Sequence, residues 1–180
     1  MKRFASLVLL CASLAQPLWA AEKIPLRLPA SVTPTAYQVA LDVDPNLPTH
    51  RGEVRIALSI TESAQRIRLH GTDITVEQAV LHQGEHSLQA QAKALNSDLL
   101  ELAFERPFAS GKAELTIRFK GLIEDKDSQG LFRQKEGGDW YAFTQFESIS
   151  ARKAFPAFDE PGWKVPWTLS LTVPAHLTAV

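Results

Sequence analysis

The chain has 180 residues, of which 45% are hydrophobic, and its 19 lysines and arginines nearly balance 20 aspartates and glutamates for a formal net charge of −1. That balance leaves no electrostatic footprint for nucleic acid. The length suits one domain, burying roughly 70% of the surface of its unfolded chain.

Residues 1–20 read as a secretory signal peptide. Lys2 and Arg3 form a basic start, Phe4 to Leu14 is an apolar run too short to span a bilayer, and Ala20-Ala21 supplies small residues for cleavage after Ala20. The expected product is an exported protein, periplasmic or secreted, in which 21–180 form one β domain. The one cysteine, Cys11, lies in the leader, so the remainder has no disulfide or thiolate metal site. Leu10 is not the small residue that normally precedes a lipid-bearing cysteine. No later run reaches the ~18 apolar residues of a membrane span.

From Tyr37 onward, apolar and polar residues alternate with period two. Tyr37, Val39, Leu41 and Val43 form the first such set, and Val54, Ile56, Leu58 and Ile60 the second. Shorter sets follow at Ile67 and Leu69, at Ile74 and Val76, at Leu100, Leu102 and Phe104, and at Leu115, Ile117 and Phe119. Trp140 to Phe146 and Trp167 to Val173 complete the series. Turn chemistry separates them, at Asp44-Pro45-Asn46, His70-Gly71-Thr72, Gln83-Gly84-Glu85, Ser110-Gly111 and Gly137-Gly138-Asp139. The pattern predicts an all-β fold, an antiparallel β-sandwich. Only Ser150 to Phe155 looks helical, a short helix with Ser150 as N-cap, stopped by Pro156. Glu124 to Ser128 reads as an exposed charged loop. Ala175 to Val180 begins an apolar stretch with no closing turn, so the last strand pair reads as incomplete at its C-terminus, with an edge that needs a partner.

Several residue groups invite a chemical reading. His82-Gln83-Gly84-Glu85-His86 matches H-x-x-E-H, a zinc motif that needs a helix to bring both histidines to one face. Here Gly84 is central and the flanks look like hairpin strands, so a solvent-facing loop is expected and no metal ligand is assigned. Asp42 and Asp44 flank a Pro-Asn turn and read as exposed strand-end acids. Trp163 and Trp167 suit core packing or a domain contact better than a carbohydrate platform.

Gln145 and Glu147 are the candidate binding residues. On a strand they share a face with Tyr141 and Phe143, while Trp140, Ala142, Thr144 and Phe146 point the other way. The carboxylate is either a solvated strand end or the partner of a cation such as an α-ammonium, which is mostly charged at neutral pH. Asp159-Glu160-Pro161-Gly162 reads as a turn formed by local hydrogen bonding and fixed φ.

Thr144-Gln145-Phe146-Glu147, followed by Ala151-Arg152-Lys153-Ala154-Phe155-Pro156-Ala157-Phe158-Asp159-Glu160-Pro161-Gly162-Trp163-Lys164, resembles the T-Q-x-E and A-R-x-x-F-P-C-F-D-E-P segment of the aminopeptidase N-like zinc metallopeptidases. Leu28-Pro29, Thr33 to Tyr37 and the strand at Gly52 to Thr61 resemble that family's opening. The resemblance implies a saddle-like N-terminal β domain preceding a catalytic domain, with Gln145 and Glu147 binding the free amino terminus of a peptide substrate and Glu147 pairing its ammonium. It also implies structural roles for Asp159 to Pro161. Ala157 stands where the family usually has Cys. The family's G-x-M-E-N and H-E-x-x-H motifs are missing, so no catalytic residue is assigned. The resemblance implies zinc as a cofactor of the complete enzyme, held in a catalytic domain outside this sequence, with none expected to be bound by this chain. The chain alone is expected to be inactive. The competing readings are a non-catalytic secreted β-sandwich binding module, docking by its unfinished edge or its Trp163/Trp167 surface, and, last, a small zinc hydrolase built on His82 and His86.

Overall fold

A computed structural model describes residues 27–180; the signal peptide assigned to residues 1–20 lies outside the described residues. Ten strands follow one another: β1 (Val32–Asp42), β2 (Thr49–Ile60), β3 (Ala64–His70), β4 (Ile74–Gln83), β5 (His86–Ala94), β6 (Leu99–Phe108), β7 (Gly111–Leu122), β8 (Gly130–Glu136), β9 (Asp139–Gln145) and β10 (Trp167–Thr172). Eight of them form one curled sheet in the order β10-β1-β2-β7-β4-β5-β6-β3, and β8 and β9 form a separate hairpin. All pairings are antiparallel except β1 with β10, which run parallel with Tyr37 opposite Trp167. The all-β class read from the alternation is therefore the class of the molecule.

Strand β5 lets a single sheet enclose a core. Its first half pairs with β4, Gln89 opposite Val80, and its second half with β6, Ala90 opposite Phe104. The sheet thus turns within one strand, bringing β6 and β3 over the inner faces of β1, β2, β7 and β4. Val54, Ile56, Leu115, Ile117 and Phe119 are fully buried from one side, and Leu69 and Leu102 from the other. The period-two pattern selected these side chains because successive residues of a strand point to opposite faces. Each Leu or Ile removed from water contributes about 1.5–3 kcal/mol.

The stretch from Ser150 to Glu160 closes the core. Its helical part is one 3-10 turn, Ala151–Lys153, because Pro156 cannot continue a helix. Ser150 makes no side-chain capping bond; its hydroxyl lies 3.4 Å from Gln129 Oε1 instead. Ala154, Phe155, Ala157 and Phe158 are buried. Ala157 forms a two-way backbone bridge with His70 at the end of β3 (2.8 and 3.0 Å), and the Phe158 N–H donates to the Tyr37 hydroxyl of β1 (3.0 Å). His50 of β2 meets the Ala154 carbonyl through Nε2 at 2.8 Å. One short segment thereby ties β3, at one end of the sheet order, to β1 and β2 near the other.

Candidate functional site

The β8–β9 hairpin carries the candidate residues, and Arg133 fixes it to the body. Its guanidinium donates to the Pro45 carbonyl (3.2 Å) and to Asp125 (3.2 Å), and stacks 4.3 Å from the centre of the Trp140 ring. Glu124 adds backbone bonds to Leu131 and Arg133 of β8 at 3.0 and 2.7 Å. Along β9 the sides divide as the period predicts up to Phe143, with Tyr141, Phe143 and Gln145 exposed and Trp140 and Ala142 partly covered, but Thr144 is exposed as well. Phe143 stacks on Phe132 with centroids 5.6 Å apart.

β9 ends at Gln145, and Glu147 lies in the turn that follows, on exposed backbone. The two residues are coupled directly, since Gln145 Oε1 accepts the Glu147 N–H at 3.1 Å. Closure of the turn comes from the Ser150 N–H donating to the Phe146 carbonyl (2.9 Å). Phe146 anchors it by packing edge-on against Phe155 at 5.9 Å and against Trp167 at 6.4 Å. The result is an exposed carboxylate and carboxamide held on an aromatic base. Chemically the pair offers acceptors for a cationic N–H donor.

Asp159 does more than shape a local turn. Its Oδ2 accepts from the Arg152 backbone N–H (3.2 Å) and Nε–H (2.9 Å), while the Arg152 guanidinium also donates to the Asp159 carbonyl (2.6 Å). The Asp159 N–H donates to His70 Nδ1 at 3.2 Å, which requires that nitrogen to be unprotonated. Glu160 reaches across the sequence to accept the Leu28 N–H at 2.8 Å. Residue type and order predict only a local turn for these acids, because neither spacing nor type marks Arg152 and His70 as partners.

Two histidines are buried under this region. Desolvation holds the His50 imidazole below its ordinary pKa, outweighing the Ala154 and Leu122 carbonyls that favour a proton on it. His70 is held down first by burial and then by the Arg152 charge, with Asp159, Glu160 and Asp98 opposing. Burial raises the Tyr37 phenol far above its ordinary value, so it stays neutral.

The H-x-x-E-H match forms no metal site. His82 lies opposite Ser87 and Gln83 opposite His86 in the β4–β5 ladder. The histidines therefore sit on opposite faces, and His82 Nδ1 is engaged with the Ser87 hydroxyl at 2.9 Å. Among the described residues no three His, Cys, Asp or Glu side chains are grouped to hold a metal ion, so this donor set does not fit zinc. Asp44 forms a local turn, its Oδ1 accepting from the Asn46 backbone and side chain at 2.9 and 3.0 Å. Trp163 packs on the core, whereas Trp167 is 51% exposed. A surface cavity of about 520 Å³ on the outer face of β2, β7 and β4 is lined by Glu53, Arg55, Gln78, His82, Glu114 and Arg118 among others, none of them from the hairpin or the closing segment. No helix among the described residues is long and apolar enough to cross a membrane.

Comparison with known proteins places this geometry in context. The family described as Peptidase M1 N-terminal domain matches residues 33–180. The chain is 33% identical over 162 residues to Aminopeptidase M1-D of Oryza sativa subsp. japonica. It is 31% identical to Puromycin-sensitive aminopeptidase of Caenorhabditis elegans over 162 residues and 31% identical to Aminopeptidase M1 of Arabidopsis thaliana over 164. Each match covers 86% of this chain but only 17–18% of the relative. The chain therefore spans less than a fifth of the length of these relatives.

Proposed function

Because the chain belongs to the M1 peptidase family, as its N-terminal domain, we propose that it serves an exported zinc aminopeptidase by receiving the free amino terminus of a peptide substrate. Gln145 and Glu147 are the receiving residues, and Glu147 pairs the ammonium. The observation that supports this most directly is their placement: an exposed carboxamide whose Oε1 accepts the Glu147 backbone N–H at 3.1 Å, which sets the Glu147 carboxylate beside it, on a turn held by the Phe146–Phe155 contact. A carboxylate that is exposed here gains its selectivity when a covering domain removes water from it, because a desolvated charge rewards a terminal ammonium and rejects a chain that continues past it. Zinc belongs to that covering domain and would supply the hydrolytic chemistry there; this chain's residues bind and orient.

The test is Glu147→Ala in the complete enzyme, assayed on peptides with a free amino terminus. The expected loss in kcat/KM is about 2–5 kcal/mol, the value for truncating one partner of a desolvated charge pair. Unchanged kinetics would mean that Glu147 is a solvated turn residue. A second reading, a secreted binding module without catalytic partner, draws support from β10, whose Trp167, Leu169 and Leu171 are 51%, 42% and 43% exposed at a sheet edge. It predicts that the purified chain is a stable protein that binds a partner and needs no further domain.

A further inference from the structure

Asp159 stands between two groups that cannot both keep it in every protonation state. Its carboxylate grips Arg152, in the middle of the 3-10 turn, and its backbone N–H donates to His70 Nδ1. The Arg152 carbonyl in turn accepts the Thr72 N–H at 2.9 Å. Arg152 and Asp159 side chains are only 11% and 12% exposed, and His70 is 9% exposed, so water replaces none of these contacts readily. The turn bearing Glu147 runs directly into this clamp through Ser150 and Ala151.

We infer that His70 is a positioning residue for the Gln145/Glu147 turn: its neutral imidazole orients Asp159 to clamp Arg152, and a proton on that ring draws the Asp159 carboxylate away from Arg152 and loosens the turn. The inference rests on the reading of Gln145 and Glu147 as an amine site for its functional meaning, but the clamp itself does not.

The chemistry of the ring decides the outcome. A neutral His70 protonated at Nε2 offers Nδ1 as acceptor to the Asp159 N–H. A proton taken from solvent turns Nδ1 into a donor, and two donors then face each other. The charged groups around the ring are Arg152 from the 3-10 turn, Asp159 and Glu160 from the segment after it, and Asp98 from the turn between β5 and β6. The Arg152 cation repels the imidazolium. Among the three acids, Asp159 is the one whose N–H has just lost its acceptor, so it is the anion that turns toward the ring. The backbone bridge between His70 and Ala157 does not titrate and keeps the rest of the segment in place, which confines the change to Arg152 and the turn leading into it.

The test uses the full chain and its nitrogen-15 NMR spectrum from about pH 7.5 downward until the His70 ring itself has titrated, since burial and the Arg152 charge hold it below the ordinary histidine value. The wild type is expected to lose the Arg152 Nε–H signal and shift the Glu147 and Ser148 amides together, with the midpoint of the His70 ring. His70→Asn keeps an acceptor near the Nδ1 position and cannot be protonated, so it should hold the neutral-pH spectrum throughout. His70→Phe, which carries no proton, should show no pH-dependent loss of the Arg152 Nε–H signal; where it fails to fold, the Asn variant carries the test. An Arg152 signal that is unchanged through the His70 titration, or that changes equally in His70→Asn, overturns the inference. Leucine amide added at about pH 7.5 separates the two claims. Shifts confined to Gln145 and Glu147 support the amine site; unchanged Glu147→Ala kinetics in the complete enzyme overturn the amine reading, and the clamp stands wherever the His70 response is intact.

Discussion

At the residue scale, burial holds two histidines toward their neutral form. His50 is 2% exposed, with Nδ1 lacking a hydrogen-bond partner and Nε2 on the Ala154 carbonyl. Burial penalises a charged imidazolium there, which lowers its pKa even though the Ala154 and Leu122 carbonyls favour a proton. His50 and His70 are both lowered in the folded state from 6.5, so between that value and their folded pKa the unfolded chain binds more protons. Their contribution to stability is complete above about pH 6.5 and is lost as pH falls through the folded values. Urea unfolding should therefore show a lower midpoint at about pH 5 than at about pH 7, and the difference should shrink in a His50→Gln/His70→Asn double variant. Gly121 shows the same tightness sterically: a Cβ there would sit 2.3 Å from His50 Cε1. Gly121→Ala should destabilise by about 1–3 kcal/mol, the usual cost of overpacking, as read by equilibrium denaturation.

The element that decides the geometry of the site is the irregular segment from Ser150 to Glu160. Its side chains and backbone reach β1, β2 and β3 and, through Phe155 and Trp167 at 6.4 Å, the edge strand β10. Phe155 also touches the Tyr37 and Phe146 rings, so Phe155→Ala should cost about 3–5 kcal/mol and release Phe146 from its seat. The check is thermal unfolding together with the amide shifts of Gln145 and Glu147; a stable variant with an unmoved turn would show that Phe146 is held by Trp167 alone. Where β8 leaves this segment, Gly130 has φ +73°, and an added Cβ would lie 2.3 Å from Lys153 Cβ. Gly130→Ala is thus both strained and obstructed, and it should shift the hairpin resonances as well as lower the melting temperature. Strand β8 itself, Gly130–Glu136, carries no clean alternation and was not among the predicted strands; the Gly137-Gly138 turn before β9 was the available signal for a hairpin partner.

For the whole molecule, the curled sheet and its closing segment support a separate hairpin, on and after which the candidate residues lie. The donor set of the described residues does not fit a metal, and the chain spans 17–18% of the relatives named above. Purified residues 21–180 should accordingly leave an aminoacyl anilide unhydrolysed, with or without added zinc; zinc-dependent turnover would contradict the division of labour proposed here. Period-two alternation was enough for the sequence alone to determine the all-β class, most of the strands and the exposed face shared by Tyr141, Phe143 and Gln145, because the side-chain alternation of a strand is local. The T-Q-F-E and A-R-K-A-F-P-A-F-D-E-P blocks likewise carried the family. Only the tertiary structure decided that β1 and β10 run parallel, that β5 turns the sheet onto itself, and that Asp159 serves Arg152 and His70 rather than a local turn. Those outcomes depend on contacts between residues far apart in the chain, such as Asp159 with His70 and Phe158 with Tyr37, and no local pattern encodes which distant partner a buried polar group will find.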